Sequence, residues 1–179
     1  EWSAMRDSFL DPPKRKQNRL RGYDYGRAGY YFITICANQR AELFWEASSM
    51  RSVGADIIRP HALTLSQYGC FVEEAIQNIS HHYVGVTVDK YVVMPNHVHM
   101  ILKLSYKDGR MISAPTKEIP IVVGQMKRIV SKRAGFPIWQ KSYHDHIIRD
   151  EADYRRIWEY IDNHPAKWRE DCYYEEGKC

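Results

Sequence analysis

Val86-Thr87-Val88-Asp89-Lys90-Tyr91-Val92-Val93-Met94-Pro95-Asn96-His97-Val98-His99-Met100-Ile101-Leu102-Lys103-Leu104 consists of two apolar, β-branched runs parted by Pro95-Asn96. Runs of this composition bounded by turn residues are strands, so the stretch reads as an antiparallel hairpin, Val86 to Met94 against His97 to Leu104. Successive side chains in a strand point to opposite faces, so His97 and His99 share one face while Val98 points to the other. A strand can present two imidazoles to one metal ion in this way. On spacing alone the pair is equally an ordinary half-buried strand with two polar residues toward solvent.

Working outward, Tyr30 to Cys36 (YYFITIC) is a first strand, aromatic and β-branched. Residues 38–60 are irregular, with Leu43-Phe44-Trp45 and Leu63 to Leu65 as short pairing segments. A helix is expected from Ser66 to His82, with Ser66 as cap and Phe71, Ala75, Ile76 and Ile79 at helical spacing. His81 and His82 close it as capping residues. Beyond the hairpin, Ser105 to Glu118 is a polar loop, and Ile121 to Arg133 a basic helix with Gly135 and Pro137 past its end. Ile138-Trp139 is a short extended segment and Tyr143 to Arg149 another strand. Asp150 caps a last helix, with Asp153 placed as in a capping box, and Pro165 ends it. The order strand, helix, strand, strand, helix, strand, helix is that of an α+β ferredoxin-like fold. This βαββαβ antiparallel sheet has its helices on one face and an added C-terminal helix. It places the His-x-His strand at the sheet centre, with the other face open to a ligand. The chain divides into a basic arm (1–29), one domain (30–170) and a tail (171–179).

With 179 residues, 44% of them hydrophobic, the chain can build one core and is too short for two full-sized domains. The net charge of +4 is modest, but its distribution says more. Lys14, Arg15, Lys16, Arg19 and Arg21 crowd the N-terminal segment, and Lys127, Arg128, Lys132 and Arg133 crowd the basic helix. Two such clusters in a small domain fit a polyanion. Tyr23 and Tyr25 among Arg21, Gly22 and Gly26 can stack on bases, or they can anchor the arm on its own domain. Cys36, Cys70, Cys172 and Cys179 have no close-pair metal spacing, which fits a reducing compartment. No apolar stretch is long enough to span a bilayer, and no signal peptide opens the chain. The expected location is cytoplasmic, at the nucleoid, with no membrane partner.

In the last helix Tyr154, Ile157, Trp158 and Ile161 form an apolar stripe that packs on the sheet. Tyr160 and His164 are four residues apart and lie one turn above the other on a neighbouring face. If that face meets His97 and His99, a phenol and three imidazoles converge. A tyrosine is a weak nucleophile at its free pKa of about 10. Beside a divalent cation its phenolate forms more easily, and the same cation polarises a phosphodiester.

These residues resemble the HUH-class single-tyrosine transposases, in particular the REP-associated tyrosine transposases. The His-hydrophobe-His motif matches His97-Val98-His99 within Val92-Val93-Met94-Pro95-Asn96-His97. The tyrosine helix of the family is similar to Glu159-Tyr160-Ile161-Asp162-Asn163-His164-Pro165. Arg19-Leu20-Arg21-Gly22-Tyr23-Asp24-Tyr25 leading into Tyr31-Phe32-Ile33-Thr34 is a further familial phrase. So is Trp139-Gln140-Lys141-Ser142-Tyr143 with Asp145-His146-Ile147-Ile148-Arg149. The likeness spans Arg15 to Trp168.

The resemblance implies a metal-dependent single-stranded DNA transesterase with Tyr160 as nucleophile and Mg2+ or Mn2+ held by His97, His99 and a third ligand. The family usually has Asn or Gln four residues after the tyrosine, where this chain has His164. Either His164 ligates, or Asn163 takes the role in a shifted helix end, or the site is impaired. Tyr143, Tyr154, Tyr173 and Tyr174 are competing tyrosines nearby. His146 is implied as a supporting group behind the ligands, and Asn96 as a turn residue beside them. His144 and His146 also form a second His-x-His pair. The implied substrate is single-stranded or hairpin DNA such as REP-like palindromes. Arg19, Arg21, Tyr23, Tyr25, Lys127, Arg128, Lys132 and Arg133 are expected to contact it, by a monomer or a homodimer. The rival reading is a ferredoxin-like module that binds single strands without chemistry.

Overall fold

The computed structural model describes residues 23–47, 64–105 and 118–174. Strand β1 (Gly29–Cys36) is followed by helix α1 (Gln67–Gln77) and its one-turn continuation α2 (Ile79–His82). The hairpin is β2 (Val86–Val93) and β3 (His97–Leu104). Helix α3 (Glu118–Ala134), strand β4 (His144–Ile148) and helix α4 (Glu151–Asn163) complete the order, and a 3-10 turn spans Pro165–Glu170. The sheet runs β2-β3-β1-β4 with every neighbour antiparallel. This is the ferredoxin-like βαββαβ arrangement expected from the order of elements, and β3 is central.

Central β3 is also covered on both faces, by helices. Val98, Met100 and Leu102 join Tyr31 and Ile33 of β1 beneath α1 and α3, which contribute Val72, Ile76, Val122, Val123, Met126 and Val130. On the opposite face Ile101 packs with Ile148 and with Ile157 and Ile161 of α4. By the two-residue period, His97 and His99 belong to this second face. The register agrees, pairing His99 with Thr34 and Ile101 with Phe32. The face expected to be open to a ligand is therefore partly roofed by α4.

The N-caps at Ser66 and Asp150 form as read, but the Asp153 carboxylate bonds His146 and Arg156 instead of closing a capping box. The Ser66 side chain accepts from Gly69 N–H, and Asp150 accepts from Asp153 N–H. Gly135 adopts φ +82° just past α3, the left-handed conformation that ends a helix at little cost to glycine. Several boundaries differ from expectation. The helix from Ser66 breaks at Asn78, whose side chain donates back to the Glu74 carbonyl. Helix α3 begins at Glu118 and tolerates Pro120 because a first-turn residue has no N–H partner to lose. The expected polar loop falls mostly outside the described residues.

Trp158 does not pack on the sheet: it is 37% exposed and lies beneath Lys90 Nζ, 3.7 Å from the ring centroid. A β-bulge explains the contact. Asp89 is the extra residue between Val88, opposite Leu102, and Lys90, opposite Ile101. The bulge turns Lys90 onto the α4 face, where it also meets Asp162 at 2.5 Å. Asp89 itself accepts from the Tyr154 hydroxyl. Helix α4 is thus held by Ile157 and Ile161 below and by Lys90 at its side.

Ile161→Ala should cost about 2–4 kcal/mol of unfolding free energy, because it leaves a cavity between α4 and Ile101. Trp158→Ala should cost about 1 kcal/mol or less, the worth of an exposed cation–π contact. Urea unfolding of the two variants would compare them. Equal losses would restore the stripe read from the sequence.

Candidate active site

His97, His99 and His164 are buried side by side. His97 Nε2 lies 3.0 Å from His99 Nε2 and 3.3 Å from His164 Nε2. His97 and His99 arrive from the central strand. His164 arrives from the last turn of α4, one turn beyond Tyr160. The Tyr160 hydroxyl is 3.3 Å from His99 Nε2, and its ring lies 4.5 Å from that of His164. Asn163, the competing third ligand, is exposed and bonds back to the Glu159 carbonyl.

The far side of each strand imidazole is held. Asn96 is buried, and its Nδ2 donates to the carbonyls of Tyr173, at 2.9 Å, and Arg40, at 3.3 Å. Its Oδ1 must then be the atom 2.8 Å from His97 Nδ1, and it accepts the proton there. His97 Nε2 is left with a bare lone pair aimed at the other two rings. Thr34 Oγ1 sits 2.9 Å from His99 Nδ1, and Phe32 stacks on the same ring at 5.2 Å. Partners of this kind fix ring orientation in metal sites. Donor atoms bonded to one cation at about 2.1 Å stand about 3.0 Å apart at a right angle and about 3.4 Å apart in a tetrahedron. Both separations from His97 Nε2 fall in that interval, and the three ligand atoms all lie within 4.8 Å of one another, so the histidines fit a divalent ion. They are also the group among the described residues with ligand atoms close enough together to hold one.

Sequence reasoning missed Asp171, which it left in the tail. Its buried Oδ2 lies 2.5 Å from His164 Nε2 and 3.5 Å from His97 Nε2. Trp168, buried in the 3-10 turn, brings the chain back over the site, and the Tyr173 ring packs 4.6 Å from that of His97. Thr34 was visible only as one residue of a strand. No local pattern marks Asp171, because it reaches the site after a turn set by tertiary packing.

Other expected site residues lie elsewhere. His146 is not behind the ligands: its Nε2 pairs with Asp153 at 2.7 Å, and Asp153 also holds Arg156. Tyr25 is buried in the core with Tyr31 at 6.2 Å and Tyr23 at 5.2 Å, so it cannot stack on bases. Residues from Tyr23 onward therefore belong to the domain rather than to a separate arm. Arg19 and Arg21 lie outside the described residues. Lys127 turns inward and donates to the carbonyls of Gln140, Lys141 and Ser142 at 2.6, 3.1 and 3.4 Å. Burial lowers its pKa. Arg133 pairs with Glu74 at 2.5 Å and covers Phe71. Arg128 bonds Gln125 at 3.1 Å, and Lys132 is exposed. All four lie on α3, across the sheet from the histidines. Among the competing tyrosines, Tyr154 is tied to Asp89, which raises its phenol to about 12. Tyr143 is buried, and Tyr174 packs on Trp168.

Tyr160 is 42% exposed, in an open groove of about 460 Å3 that runs past Arg156, Asn163 and Lys167. Burial first, and the Asp171 charge second, push its phenol upward, so the phenolate requires a nearby positive charge.

Burial lowers His97 to about 3 and holds His99 well below the ordinary imidazole range. For Asp171 burial acts upward, but the His164 pairing and the Tyr173 N–H outweigh it and bring the carboxyl to about 2. Below pH of about 6.5 the unfolded chain takes up histidine protons that the folded chain refuses, so stability falls with pH. Asp171 acts in the same sense below about 4, where the unfolded carboxyl protonates first. The melting temperature of the metal-free protein should decline steadily from pH 7 to pH 4. A flat profile would contradict neutral buried imidazoles.

No protein-family model matches the chain. An uncharacterized protein of Haemophilus influenzae is 30% identical over 178 residues, covering 89% of this chain and 93% of its own. A second Haemophilus influenzae protein, described as a candidate REP-associated tyrosine transposase, is 23% identical over 151 residues. That match covers 80% of this chain and 74% of the relative. The solved structure of a REP-associated tyrosine transposase bound to a REP hairpin superposes with a TM-score of 0.54 at 23% identity. It covers 84% of this chain and 73% of that one. The chain is similar over most of its length to a candidate REP-associated tyrosine transposase of Haemophilus influenzae, and it shares the fold of the solved REP-associated tyrosine transposase.

Proposed function

We propose that this protein is a transposase of the REP-associated tyrosine type, a metal-dependent single-stranded DNA transesterase with Tyr160 as nucleophile. The observation that carries the reading is the Tyr160 hydroxyl, 3.3 Å from His99 Nε2 at the edge of a three-imidazole cluster and open to a groove. His97, His99 and His164 would hold Mg2+ or Mn2+. The chemistry such an ion supplies when bound is polarisation of a phosphoryl oxygen and a positive charge that favours the phenolate.

Tyr160 Oη attacks the scissile phosphorus as its P–O3′ bond breaks. The phenolic proton is lost, and the departing 3′-oxygen takes one up. The products are a 5′-phosphotyrosine and a free 3′-hydroxyl, and the phosphoester remains available for the reverse attack by a 3′-hydroxyl. Phe32 and the imidazoles fix the Tyr160 ring, which limits the orientations that must be lost before attack. Arg156 and Lys167 line the groove as candidate contacts for neighbouring phosphates. The solved relative was bound to a REP hairpin, which supports hairpin DNA as the substrate class. Arg128 and Lys132 of α3 and the basic residues Arg19 and Arg21 are candidates for a second, more distant phosphate contact.

Wild-type protein mixed with single-stranded hairpin DNA from the flanks of its own gene and Mn2+ should give an SDS-resistant adduct. Chelator and Tyr160→Phe should each abolish it, and Tyr154→Phe should keep it. Loss in Tyr154→Phe alone would move the nucleophile. Binding that survives chelation, with no adduct in any lane, would favour a non-catalytic module.

A further inference from the structure

Asp171 stands on an unusual side of the histidine cluster. A carboxylate that supports a ligating imidazole ordinarily bonds the nitrogen turned away from the ion. For His97 and His99 that position is taken by Asn96 and Thr34, both at Nδ1. Asp171 instead approaches the inward Nε2 atoms of His164 and His97.

Its two oxygens are in different states. One accepts the Tyr173 N–H at 2.8 Å, which fixes the carboxylate plane. Oδ2 is buried and paired with His164 Nε2 at 2.5 Å, but without the alignment of a good hydrogen bond. A buried, poorly satisfied carboxylate oxygen is costly unless a cation meets it. Its separations from His164 and His97, 2.5 and 3.5 Å, bracket the roughly 3.0 Å between adjacent donors on one ion. The backbone delivers it there firmly, through buried Trp168 and the Asn96 bond to the Tyr173 carbonyl.

We propose that Asp171 is a fourth protein ligand of the divalent-metal site, coordinating through Oδ2 beside His97 and His164. The proposal rests on the three-histidine reading above. Its consequence is a site with one negative charge and one hard oxygen donor, which suits Mn2+ and Mg2+ better than three imidazoles alone.

The test is Mn2+ binding to the metal-free full chain, followed by loss of the free-ion EPR signal. Asp171→Asn should weaken Mn2+ binding tenfold or more relative to wild type, and His97→Ala should weaken it at least as much. Asp171→Asn within twofold of wild type, with His97→Ala impaired, would overturn the role of Asp171 and leave the histidine site standing. Failure of the wild type to bind Mn2+ would remove both. If Asp171→Asn does not fold, wild-type protein carrying carboxyl-13C aspartate decides by infrared difference spectroscopy. A Mn2+-induced shift of an aspartate carboxylate stretch supports the assignment, and no shift overturns it.

Discussion

Strand β3 is covered on both faces, and its two-residue period divides the molecule. Val98, Met100 and Leu102 close the core under α1 and α3, while His97, His99 and Ile101 face α4. A slip of one residue would bury the imidazoles in the apolar layer and turn the core residues toward the groove. The register with β1 excludes that slip by setting Thr34 beside His99 and the apolar Ile33 opposite Met100. Fold stability and site geometry are therefore fixed by one strand pairing.

Burying three imidazoles and a carboxylate in a small space opposes folding unless each polar atom is answered. Asn96 and Thr34 answer the outward nitrogens of His97 and His99, and the Tyr173 N–H answers one oxygen of Asp171. What is left over points inward: the bare Nε2 of His97, its two neighbours and Asp171 Oδ2. Electron-pair donors gathered at about 3 Å call for a cation between them. The same crowding, with burial, raises the Tyr160 phenol. The charge that the histidine cluster calls for is thus also the charge that a Tyr160 phenolate would need, and one ion would meet both.

Helix α4 carries Tyr160 and His164, and its hold on the sheet sets their reach. Ile157 and Ile161 seat it on Ile101, and the bulge at Asp89 brings Lys90 against Trp158 and Asp162. The residues flanking Tyr160 are consequently committed to packing or to exposed ion pairs. Lys127, Arg133 and Tyr25 show the same principle elsewhere. They look like nucleic-acid contacts in a list of basic and aromatic residues, yet they satisfy carbonyls, a glutamate and the core.

The order of elements, the central hairpin, the caps at Ser66 and Asp150 and the pairing of Tyr160 with His164 are legible in the sequence, because each follows from a local period or a local hydrogen bond. His97 and His99 share a face for the same reason. Other features are not local. Trp158 falls on the helical stripe but is displaced by a bulge in a strand about seventy residues away. Lys127 reads as surface charge until the loop after α3 folds its carbonyls back over the amine. His146 alternates with His144 in the same way that His97 and His99 alternate, and only the sheet order separates an edge strand from the centre. Asp171 carries no motif at all. Local periodicity fixes which way a side chain points, whereas the chain path after Pro165, set by burial of Trp168, fixes what it meets.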